Sequence, residues 1–227
     1  FSLDQNYSLA VIFLLFAALL DALDGRIARL IKGTSEFGKE LDSLTDFVSF
    51  GIAPAFIIYF WELKNYGKIG WAITLIFSVC CVLRLARFNV FKVPESDKWK
   101  VNYFQGVPSP AGAGLILLPL IYELSNLNMN LEIKLITPYL VFIVSILLIS
   151  KVPTYAFKKI TISSKLTVFL LLGIGIIFVF LIFFTFKALL VIGLVYLMLI
   201  PISYLTYRNR DKKNNLSSKE DEHENVL

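Results

Sequence analysis

Apolar residues in this chain come in long unbroken blocks, separated by short polar connections. Seven such segments can be read, at about 8–25, 45–62, 68–86, 109–125, 133–150, 166–184 and 186–206. Their length suits a bilayer, where a helix needs about 20 apolar residues to cross. Each is expected to be helical, because an isolated strand leaves its backbone unsatisfied in lipid. The first is short of a full span unless its helix runs on toward Leu30, and the sixth and seventh are joined by a very tight turn. The fold class is therefore all-α, a polytopic transmembrane helix bundle of about seven spans. Residues 1–207 form one membrane domain, and 208–227 form a polar tail of mixed charge that is expected to be disordered.

Composition supports this reading. The 227 residues are 57% hydrophobic, 15% aromatic and 17% charged, with a mean hydropathy of +0.71. A soluble domain of this size needs more polar exterior. The net charge of +5 does not point to nucleic acid, since no basic face or aromatic-basic platform is visible. Position explains it instead. The connections at 26–44, 84–107 and 151–165, together with the tail, hold 18 of the 22 Lys and Arg residues; Lys64, Lys68, Lys134 and Lys187 lie in the alternate set. The richer set is expected to be cytoplasmic. Seven spans then put Phe1 outside and the tail inside, so an earlier helix is expected before Phe1. Cys80 and Cys81 are adjacent in an apolar run and read as small core residues. His223, the only histidine, lies in the tail, which leaves acid–base chemistry to carboxylates.

Those carboxylates cluster. Asp21 and Asp24 are three apart and share a helical face, with Gly25, Ala28 and Arg29 following on that side. Gly38, Asp42 and Asp46 form a second ladder with a spacing of four. Acids at a membrane segment are costly without a partner, and one Arg does not balance four. Oxygen-only ligands favour hard divalent cations such as Mg2+ or Mn2+, and two such ions would suit phosphoryl transfer. Gly25 and Gly38 would admit a nucleotide close to the helix backbones. In the plainer alternative, Asp21 and Asp24 only terminate a helix at the membrane surface, with Arg29 and Lys32 as ion partners.

The whole run, D-x2-D-G-x2-A-R-x8-G-x3-D-x3-D, fixes eight positions over 26 residues. It resembles the signature of the CDP-alcohol phosphotransferases without departure. The resemblance implies that Asp21, Asp24, Asp42 and Asp46 bind two metal ions and that Asp46 doubles as general base. It also implies that Asp21, Gly25, Ala28, Arg29 and Gly38 form the CDP site, in a homodimer. Three further strings, DSLTDFVSFGIAPA (42–55), RLARFN (84–89) and GVPSPAGAG (106–114), resemble the membrane-embedded phosphatidylserine synthases. That likeness implies CDP-diacylglycerol as donor and L-serine as acceptor, at the cytoplasmic face of the cell membrane. Serine's carboxylate needs a cation, for which Arg84 and Arg87 are candidates, while Ser49 and Asn89 offer neutral hydrogen bonds. The plainer reading makes both arginines membrane anchors or lipid-phosphate ligands, and the prolines of 106–114 a simple chain break. Glycerol 3-phosphate or inositol phosphate are the alternative acceptors; an ion-coupled transporter is the alternative class.

Overall fold

A computed structural model describes residues 2, 5–30, 35–90, 103–127, 132–155 and 164–224. Within these, the side chains at 26–30, 39, 164–168, 170, 174, 178 and 211–224 fall outside the description. The helices are α1 (Tyr7–Leu30), α2 (Glu36–Asp46), α3 (Ala53–Trp61), α4 (Gly67–Val90), α5 (Ser109–Leu124), α6 (Ile133–Ile149), α7 (Ser164–Phe183) and α8 (Thr185–Glu224). A π-helical turn at Phe47–Ile52 joins α2 to α3, and a 3₁₀ turn at Leu63–Tyr66 precedes α4. All seven apolar segments are thus helical, and the first does continue to Leu30.

Four stretches are long and apolar enough by themselves to cross a membrane: Tyr7–Gly25, Glu36–Trp61, Leu63–Val90 and Thr185–Arg210. Ser109–Leu124, Ile133–Ile149 and the described stretch Leu171–Phe183 are apolar but shorter. Much of the outer surface is apolar, with Phe13, Phe16, Leu19, Leu171, Ile176 and Met198 all exposed. Water would penalise such a surface and lipid does not.

α5 forms the centre. Leu115, Ile116, Leu117, Leu118, Leu120 and Ile121 are all buried, in one cluster with Ile58 of α3, Phe77 and Cys81 of α4, Val141 and Leu148 of α6, and Leu190 of α8. Close approach depends on absent side chains. A Cβ on Gly112 would lie 2.8 Å from Leu148 Cδ2, and one on Gly193 would lie 2.3 Å from Leu118 Cδ2.

The π turn changes what the second rod presents. Winding an extra residue into one turn rotates everything beyond it by roughly 100° relative to an unbroken α-helix. Half-buried Asp46 thereby shares a side with the buried residues Pro54, Ala55 and Ile58 of α3. At Gly51 the rod meets α4, where an added Cβ would be 2.7 Å from the Phe47 ring and 3.3 Å from Cys81 Cβ.

Two features depart from the expected bundle. β1 (Tyr103–Gln105) pairs antiparallel with β2 (Pro153–Tyr155), Tyr103 opposite Tyr155 and Gln105 opposite Pro153. Gly106 continues this clasp with φ +78°, its N–H bonding to Val152 O at 2.9 Å. A Cβ there would lie 2.7 Å from Leu148 O. The string 106–114 is therefore a structural joint locking the start of α5 to the end of α6. The second is the length of α8, which runs on as helix from Thr185 to Glu224, past the apolar segment 186–206. No Gly or Pro occurs between Pro201 and Glu224 to end it.

Candidate active site

The acids meet where α1 ends and α2 runs toward the π turn. Asp21 and Asp24 come from successive turns of α1, and Asp42 and Asp46 from successive turns of α2. Carboxylate oxygens of Asp21, Asp24 and Asp42 all lie within 4.8 Å of one another. The Asp46 carboxyl is close enough to that of Asp21 to share a hydrogen bond. Four acids from two helices therefore converge, as the two ladders predict. Asp24 and Asp42 face solvent, while Asp21 and Asp46 are half-buried.

Two like charges at such a separation repel by roughly 1 kcal/mol in water and roughly 3 kcal/mol at an effective dielectric of about 20. Several such pairs act together here, and a hard divalent cation offsets them. The donor set fits one: all ligands are carboxylate oxygens, which such ions take at about 2.0–2.6 Å. Rotation about the Asp side-chain bonds is enough to draw oxygens spaced within 4.8 Å onto one centre.

Local structure holds α2 in place. Ser35 caps its N-terminus, its Oγ accepting from Gly38 N–H at 3.0 Å. Gly38 is exposed, and the nearest atom to a Cβ added there would be that Oγ at 3.1 Å. The ladder's open side is thus bare of side chain where the sequence places Gly38. Thr45 Oγ1 donates back to Leu41 O and Asp42 O. Gly25 lies half-buried on α1, beside Asp24. The backbone of Ala28 and Arg29 continues that helix, while their side chains lie outside the described residues.

The opposite wall is α4, where the four acceptor candidates divide. Arg84 is 9% exposed. It donates to Ser109 Oγ at 2.9 Å, sits 5.6 Å from the Phe88 ring centroid, and is within electrostatic reach of Asp46. Arg87 donates to Ile149 O, a carbonyl left open by the end of α6. Asn89 donates to Ser43 Oγ at 2.8 Å, bridging α4 to α2 next to Asp42. Ser49 is half-buried within the π turn. Only Arg84 among the arginine candidates combines burial with closeness to the acids. Ser109 is the residue that sequence reasoning passed over. It stands between Pro108 and Pro110, where the prolines drew the structural reading.

A family model described as CDP-alcohol phosphatidyltransferase matches residues 1–199, a range that includes every acid of this site and both walls. The chain belongs to the CDP-alcohol phosphatidyltransferase family. Among individual relatives, the CDP-diacylglycerol--serine O-phosphatidyltransferase of Helicobacter pylori is 39% identical over 163 residues, covering 71% of this chain and 66% of the relative. The enzyme of the same name from Mycobacterium leprae is 42% identical over 125 residues, covering 53% of this chain and 41% of its own length. That from Saccharomyces cerevisiae is 43% identical over 108 residues, or 46% and 38% of the two chains. The chain thus spans under two thirds of the length of the curated relatives it matches.

Proposed function

We propose that this phosphatidyltransferase moves a phosphatidyl group from CDP-diacylglycerol to the hydroxyl of L-serine, forming phosphatidylserine and CMP. The convergence of Asp21, Asp24 and Asp42 within 4.8 Å, with Asp46 beside them, is the observation that carries the reading. Relatives that bear this activity in their names supply the acceptor.

Asp21, Asp24, Asp42 and Asp46 would hold two divalent cations, Mg2+ or Mn2+. When bound, these ions neutralise the pyrophosphate and the charge that develops on the leaving CMP. Asp46 lies at the inner edge of the acid group and takes the proton from the serine hydroxyl. The freed oxygen attacks the phosphorus nearest diacylglycerol. A P–O bond forms to serine as the P–O bond to CMP breaks, its electron pair leaving with CMP. Asp21, Gly25, Ala28, Arg29 and Gly38 would serve the CDP side, as the family resemblance implies. Ser109 takes one N–H of Arg84, so the other donors of that planar fork would bind the serine carboxylate, with Ser49 of the π turn as a candidate neutral partner. Arg87 and Asn89 act through the backbone and Ser43 instead. The basic residues of the connections support a site that faces the cytoplasm across a cell membrane, and the family resemblance supports a homodimer.

Purified protein incubated with CDP-diacylglycerol, Mg2+ or Mn2+, and in turn L-serine, glycerol 3-phosphate and inositol phosphate tests the proposal. Identification of the lipid by mass spectrometry should give phosphatidylserine with one CMP per lipid, from serine alone. A different phospholipid, or CMP release without a new lipid, would remove serine as the acceptor.

A further inference from the structure

A cavity of about 550 Å3 with acidic and aromatic lining lies apart from the four acids. It lies where α3 turns into α4 and α5 turns toward α6, with Glu62, Tyr66, Tyr122, Glu123, Glu132 and Lys134 in its lining. Glu62 follows Asp46 by 16 residues along one helical rod, a rise of about 24 Å. The cavity is therefore at the other end of the bundle from the acids described above, between the apolar stretches Glu36–Trp61 and Leu63–Val90.

Its charges do not balance. Lys134 Nζ is 3.3 Å from Glu123 Oε1 and 5.7 Å from the Trp61 ring centroid, so it is already engaged. Glu132 stands at the N-terminus of α6, where the helix dipole favours an anion. Glu62 stands between α3 and the 3₁₀ turn, as C-cap of the first and N-cap of the second, so helix dipoles neither favour nor penalise it on balance. Only 8% of it is exposed, and among the described residues no side chain pairs with its carboxylate. An enclosed acidic side chain that lines a cavity, with no described side chain paired to it, favours a cation from outside the chain.

The geometry selects the kind of cation. Among the described residues only Asp21, Asp24 and Asp42 bring three acidic ligand atoms within 4.8 Å; the carboxylates of this cavity are too dispersed to coordinate one compact metal ion. The space is large enough for an organic group, and Tyr66 and Tyr122 supply aromatic surface of the kind that attracts ammonium. We infer that this cavity binds a primary ammonium group, with Glu62 as its counter-ion and its carbon skeleton against Tyr66 and Tyr122. An amine-headed phospholipid and a free small amine both carry that chemistry.

The test uses the full chain in detergent, titrated with short-chain phosphatidylethanolamine, with ethanolamine, with short-chain phosphatidylcholine and with magnesium chloride. Thermal shift and tryptophan fluorescence are the readouts. Binding of phosphatidylethanolamine alone identifies a lipid headgroup as the source; binding of ethanolamine as well identifies the free amine. In either case Glu62→Gln should weaken binding at least tenfold, phosphatidylcholine, which lacks N–H donors, should bind more weakly, and Asp46→Asn should bind the amine as the unaltered protein does. That last variant separates this cavity from the serine site, so failure of the serine assignment leaves the inference standing. Equal binding by Glu62→Gln, no binding of either amine, or a preference for magnesium would overturn it. If Glu62→Gln does not fold, Glu62→Asp, which withdraws the charge by one methylene, should bind ethanolamine several-fold more weakly; unchanged binding would overturn the inference in the same way.

Discussion

The two walls of the active site are built on opposite plans. The α1–α2 wall carries four acids on half-buried or exposed positions, and its long apolar side chains point outward. The α4–α5 wall turns a buried cation toward those acids, Arg84, fixed by Ser109 beside the buried residues of α5. The difference separates two tasks. Charges that must accept ions and a nucleotide need access and room to adjust. On the proposed reading, a guanidinium that discriminates one small acceptor needs a fixed direction, which burial and a hydrogen bond supply.

Changes that mix these two roles test the division. The largest effect is expected from Asp46→Asn, which keeps shape and removes the base. CMP release should fall at least about a thousandfold while the melting temperature stays near that of the parent; normal turnover would end the general-base role. Arg84→Lys is next, because a point charge replaces a fork held by Ser109. The KM for serine should rise about tenfold or more and that for CDP-diacylglycerol should change little, as measured with each substrate varied in turn. Equal changes in both constants would show that the two walls are not separate.

Gly51→Ala probes the joint between the walls. Its Cβ would meet the Phe47 ring at 2.7 Å and Cys81 at 3.3 Å, an overpacking of about 1–3 kcal/mol. A lower melting temperature and a several-fold loss of turnover are expected; an unchanged protein would mean that the π turn yields freely. Asn89→Ala should have the smallest effect. It cuts an exposed bridge to Ser43 of about 0.5–1.5 kcal/mol, so activity should fall only two- to five-fold, with the melting point nearly unchanged. A loss as deep as that of Asp46→Asn would return Asn89 to direct substrate contact.

The acids were legible in the sequence because helical spacing is a local property, and spacings of three and four put each pair on one face whatever surrounds it. The seven helices were legible for the same reason, since lipid forces long apolar blocks to coil. What stayed hidden depends on residues far apart in the chain. β1 and β2 are three residues each and lie about fifty residues apart, so neither has a pattern of its own, and Pro153 argues against a strand. The π turn arises where Gly51 meets Cys81, a contact that no window along one helix contains. Arg84 and Arg87 have the same signature, a basic residue at a helix end, yet one reaches Ser109 and the other a backbone carbonyl.

The ribbon of β1 and β2 also sets an order of assembly during synthesis. The acidic pairs are complete once residue 46 has emerged, but the clasp that locks the start of α5, and with it Ser109 beneath Arg84, needs residues 153–155. At about 5–20 residues per second, the intervening hundred or so residues take roughly 5–20 s to make. For that interval the nascent chain has its acids in the membrane without the finished wall that faces them. On the proposed reading, the wall that selects the acceptor is the last part of the site that the growing chain completes.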